Sequence, residues 1–85
     1  MELALSLDNY YALEDLASGD WDGEEMYPEL ERLGLCVIEE DRPFLTIAGE
    51  NVLEAVMGCG LEIESAAYII VEHDESFENI DISIE

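Results

Sequence analysis

Lysine is absent from this 85-residue chain, and arginine occurs only twice, against 23 acidic residues and a formal charge of −21. That shortage of cations argues against direct nucleic-acid binding, because affinity for DNA comes largely from neutralising phosphates. It argues against attraction to anionic membrane for the same reason. Long apolar runs are missing too. No segment has the length of a membrane span, and residues 1–7 lack the basic start and apolar stretch of a signal peptide. Cysteine is scarce: Cys36 and Cys59 are too few for a secreted disulfide scaffold and are not spaced as metal ligands. The expectation is a reduced, cytoplasmic protein, with a Cys36–Cys59 bridge as the alternative. No glycine-rich phosphate loop and no Ser/His/Asp or Cys/His arrangement occurs, so neither an enzyme nor a cofactor is expected.

What the chain does have is apolar content. At 49% hydrophobic residues it can fold despite its charge, as one domain burying roughly 60–65% of its unfolded surface. The spacing of Tyr10, Leu13, Leu16 and Ala17 predicts a first helix over 3–18, capped by Ser6 or Asp8 and stopped at Gly19. An acidic loop with Trp21 follows. A second helix starts near Tyr27, with Pro28 in its first turn, and ends at Gly34, where a left-handed residue is followed by the apolar Leu35. Two short apolar runs, 35–39 and 44–46, flank a turn at 40–43 and read as a hairpin. Thr46 is placed to cap a helix over 48–57, with Val52, Leu53 and Val56 inward. After Gly58, Cys59 and Gly60 the chain turns. Strands at 66–72 and 79–84, joined by a polar loop at 73–78, form a second hairpin in which Ile80, Ile82 and Ile84 share one side. The fold class is α+β.

The run Leu30-Glu31-Arg32-Leu33-Gly34-Leu35, then strand, turn and strand, then Leu45-Thr46 with Gly49 and Leu53, resembles the second half of a winged helix-turn-helix domain. The resemblance implies a recognition helix ending at Gly34, a wing over 36–46 and a packing helix beyond it. The chain would then be a reduced winged-helix-like part over 1–57, with about three helices, and a C-terminal β-hairpin extension over 58–85. Members of that family usually bind DNA through basic residues on the recognition helix and wing. The matching positions here are Glu24, Glu25, Glu29 and Glu31 on the helix and Glu39, Glu40 and Asp41 on the wing, with only Arg32 and Arg42 positive.

Two local patterns suggest metal chemistry, and both read better otherwise. Asp20, Asp22, Glu24 and Glu31 fall at the first, third, fifth and twelfth positions of a calcium loop, but the sixth position, which needs glycine, is Glu25. His73 stands among Glu72, Asp74 and Glu75, yet sequence neighbours at a strand end alternate faces and do not converge on one ion. A solvated turn is the simpler reading there. The remaining signal is the acidic surface. Phosphates along a DNA strand lie ~7 Å apart, and acids on adjacent helix turns or alternate strand positions match that spacing to within roughly 2 Å. Glu24, Glu25, Glu29, Glu31, Glu39, Glu40 and Asp41 form one candidate track, and Glu72, Asp74, Glu75, Glu78 and Asp81 another. Trp21, Tyr27 and Phe44 are candidate apolar anchors.

In size and charge the chain resembles the acidic anti-CRISPR and anti-restriction inhibitors of bacteriophages. That implies a DNA mimic in the host cytoplasm, binding a basic nucleic-acid-binding protein or complex such as a CRISPR effector or restriction enzyme. It would touch neither nucleic acid nor membrane. The competing reading is a winged-helix regulator or interaction module of a halophilic organism, using Arg32 and Arg42; the excess of isoleucine over valine tells against it. The edge at 80–85 could also pair with a partner's sheet, or with its own copy in a homodimer.

Overall fold

The chain opens with a strand, β1 (Glu2–Ser6), where a helix was expected. Leu3 and Leu5 alternate with Glu2, Ala4 and Ser6, and this period of two places both leucines against the interior. Long-range pairing with a strand 66 residues away overrides the high helix propensity of Glu2, Leu3, Ala4 and Leu5. Ser6 is extended, and its hydroxyl accepts from the Asn9 amide at 3.1 Å, so the first helix, α1 (Leu7–Ser18), starts immediately after it. Tyr10, Leu13 and Leu16 are buried as expected, but Ala17 is exposed. The structure, a computed structural model, describes residues 1–19 and 27–85.

Helix α2 (Tyr27–Arg32) ends as the sequence indicates. Gly34 has φ +82, its amide donates to Glu31 O, and the Leu35 amide reaches back to Leu30 O at 3.0 Å. Leu35 is then fully buried. Strands β2 (Cys36–Glu39) and β3 (Arg42–Leu45) form a separate two-stranded sheet with Glu39 opposite Arg42, so the turn holds only Glu40 and Asp41. Pro43, expected in the turn, instead lies in β3 opposite Ile38 and is buried. A two-stranded ribbon tolerates it because each strand has one side with no ladder to break.

Thr46 joins this hairpin to α3 (Ile47–Met57). Its hydroxyl donates to Gly34 O at 2.7 Å and accepts from the Gly49 amide at 3.0 Å, while its own amide donates to Leu35 O. Helix α3 packs so closely on this junction that a Cβ at Gly49 would collide with the Leu35 carbonyl. A short 3-10 turn (Ile63–Ser65) leads to β4 (Tyr68–His73) and β5 (Ile80–Ile84). The C-terminal hairpin is thus present as expected, but β1 enlarges it to a three-stranded antiparallel sheet in the order β1-β4-β5. Leu5, Ile69 and Val71 from this sheet meet Leu13 and Leu16 of α1, Val52 and Val56 of α3, and Leu30 and Leu35. The result is an α+β domain with three α-helices and two antiparallel sheets among the described residues. Among the described residues, no helix is long and apolar enough to cross a membrane.

Candidate acidic interface

Of the acids on the second helix and the first hairpin, not all are free. The Glu31 carboxylate accepts from the Ile38 amide at 3.0 Å, tying α2 to β2. Glu29 faces Arg32 at 3.9 Å across one helical turn, an exposed pair of small energetic value. Glu39, Glu40 and Asp41 stand exposed at the hairpin end. Glu40 and Asp41 have φ of 51 and 63, the left-handed pair that a two-residue hairpin turn needs and that Asn-Gly usually supplies. Glu24, Glu25 and Trp21, with Asp20 and Asp22 of the calcium pattern, lie outside the described residues.

The proposed anchors divide. Phe44 is 49% exposed opposite the exposed Val37, so the hairpin carries an apolar patch beside its acidic tip. Tyr27, by contrast, is only 3% exposed and belongs to the core, so it offers no ring to a partner. Its position at the start of a short helix gave no clue to which way the ring would turn. The Cys36 thiol lies beneath it, 3.4 Å from the Tyr27 carbonyl, and burial, then the nearby Glu31 charge, pushes that thiol up to about 11. Both cysteines are free thiols, so the alternative bridge between them is not formed.

The second acidic track is reorganised by strand register. Glu72 pairs with Asp81 across β4 and β5, and with Glu2 across β1 and β4. Three exposed carboxylates therefore stand side by side on the outer face of the sheet, neighbours about 5 Å apart. They border a shallow cleft with Met1, His73 and Asn79. Glu2 was invisible to sequence reasoning, since it joins the row only through the β1 pairing. On the same face Tyr68 is 49% exposed and Ile70 half-buried.

Asp74 leaves the track for an internal task. Its carboxylate accepts from Ser76 Oγ, the Glu78 amide and the Asn79 side-chain nitrogen at 2.9–3.1 Å. These bonds, Asn79's first, hold its carboxyl down at about 2. The loop it organises is packed rather than merely solvated. His73 Nδ1 donates to the Asp74 carbonyl at 2.7 Å and its ring stacks on Phe77 at 3.8 Å, while the Phe77 carbonyl accepts from Asn51 of α3. Glu75 and Glu78 remain exposed on this loop.

No described carboxylate is buried; only Glu14 and Asp74 are half-buried. Glu14 lies against Tyr10, whose phenol is pushed up to about 12 by burial first and this carboxylate second. Among the described residues, no three His, Cys, Asp or Glu side chains are grouped to hold a metal ion. The arrangement offers two acidic edges on different sheets, one ending in the strained tip of β2–β3 and one built on the Glu2–Glu72–Asp81 row. No protein-family model, curated protein or solved structure matches the chain.

Proposed function

We propose that this chain is a non-enzymatic inhibitor whose carboxylates stand in for DNA phosphates and occupy the nucleic-acid groove of a basic defence complex, of CRISPR or restriction type. The observation that carries the reading is the Glu2–Glu72–Asp81 row. Like charges directly opposite one another across strands destabilise a sheet, and no arginine side chain among the described residues is paired with this row. A fold that keeps such a repulsive row on an open face is consistent with an external partner that neutralises it. Charge-assisted bonds from arginine and lysine would do so, and the field of a chain at −21 would steer the encounter.

The same proposal covers the fold. The order α2, β2, β3, α3, locked at Thr46, supports a reduced winged helix whose recognition helix and wing have become acidic. Arg32 and Arg42, which a DNA-binding member would use, each have an acid within reach: Glu29 by ion pair and Glu39 by strand pairing. The test is capture of a partner from a bacterial lysate at about 0.15 M salt, then competition with duplex DNA. Release of a nucleic-acid enzyme by DNA is the expected result. Direct binding of DNA by the chain itself, or folding confined to molar salt, would instead favour a halophile regulator.

A further inference from the structure

We propose that the free edge of β5 binds an extended basic segment of a partner protein as a fourth strand of the β1-β4-β5 sheet. Among the described residues β5 has one neighbour. Tyr68 and Glu85 exchange both backbone bonds, at 3.0 and 3.3 Å. Antiparallel pairs alternate, so Asp81 and Ser83 also turn their amides and carbonyls to β4, and those of Ile80, Ile82 and Ile84 point outward. The outward edge carries no lysine, proline or bulge, three of the devices that blunt an exposed strand, and its one charged residue is Asp81.

Side chains on the two faces of this edge specify the occupant. On the core side Ile80, Ile82 and Ile84 are half-buried, and Ile80 borders a cleft with Ala55, Asn51 and Glu54 of α3, a partly apolar shelf for branched residues of an added strand. On the other side Asp81 and Glu85 are exposed, with Glu72 one strand away. An added strand alternating cations with branched apolar residues meets both faces with the right chemistry. A second copy of this chain does not. It would bring the same acids onto one face and a second charge of −21. The inference shares with the function proposed above only that the partner is basic, and it stands whether or not that partner handles nucleic acid.

The probe is a heptapeptide alternating lysine and valine, capped at both ends, titrated into the intact chain at low salt. Binding should slow hydrogen exchange at the Ile82 amide and leave the β2–β3 amides unchanged. N-methylation removes pairing amides without altering charge. Methylating one alternate set, lysines or valines, should weaken binding by at least about tenfold, since about three hydrogen bonds are lost, while the other set matters little. A threonine–valine peptide should bind far more weakly. Absence of binding, equal binding by both methylated peptides and the parent, or protection at β1 instead of β5 would each overturn the proposal. So would a dimer in sedimentation that protects Ile82 without peptide. None of these results would affect the DNA-competition test, so the two ideas fail separately.

Discussion

Replacing Glu72 with lysine should make the domain more stable while weakening its attraction for a basic partner. Glu72 lies between Glu2 and Asp81, so a single change turns two repulsive cross-strand pairs into two attractive ones. Each such pair is worth roughly 0.2–1 kcal/mol, so the variant should gain about 1–2 kcal/mol at low salt. For a domain of 85 residues this corresponds to a rise in Tm of about 4–16 °C. At 1 M salt the screening length falls to about 3 Å, shorter than the strand spacing, and most of the gain should vanish. Glu64→Lys is the control, because it alters net charge equally from an exposed site outside both sheets. Urea unfolding of both variants at low and high salt measures the difference. Equal stabilisation by Glu72→Lys and Glu64→Lys would show that the row carries no specific repulsion, and the argument for an external neutralising partner would lose its basis.

Three further outcomes are expected. Glu40→Gly should raise stability by about 0.5–1 kcal/mol, because glycine relieves the left-handed strain at φ 51 but loses some chain entropy; a lower urea midpoint would contradict the turn geometry. Gly49→Ala should cost about 1–3 kcal/mol by forcing α3 away from the Leu35 carbonyl, and an unchanged thermal midpoint would refute that close approach. Asp74→Ala should loosen the loop between β4 and β5 in a pH-dependent way. The folded carboxyl sits at about 2, below its ordinary 3.8, so its stabilising effect is fully present above about pH 4 and lost as pH falls through 2. The gap in urea midpoint between wild type and variant should close over that window, and a gap constant down to pH 2 would remove Asp74 as its cause.

Where the backbone is decided by neighbouring chemistry, the sequence was informative. The Gly34–Leu35 stop, the Thr46 cap and the inward stripe of α3 depend on residues within a turn of one another, and all three appear as expected. Strand β1 depends instead on partners beyond residue 67. Leu3, Ala4 and Leu5 tolerate a helix locally, and only pairing with β4 settles them as strand. The same non-locality hid Glu2 from the acidic row. The first hairpin's turn was misjudged by two residues because no glycine or asparagine marked the left-handed positions, and Pro43 drew the turn toward itself. Asp74 resembled its acidic neighbours in sequence, and only the fold distinguishes a loop-building carboxylate from a solvent-facing one.

The Thr46 junction also has a mechanical consequence. Both ends of the β2–β3 ribbon emerge from one knot, where a single hydroxyl clasps the chain after α2 to the first turn of α3. The ribbon is therefore a prong with a fixed root rather than a loop on two independent tethers. Carboxylates at its tip are held in position before any encounter, so less freedom remains to be lost on contact. Loosening the root, by Thr46→Val for instance, would reduce the reach and aim of the tip without touching any acid on it.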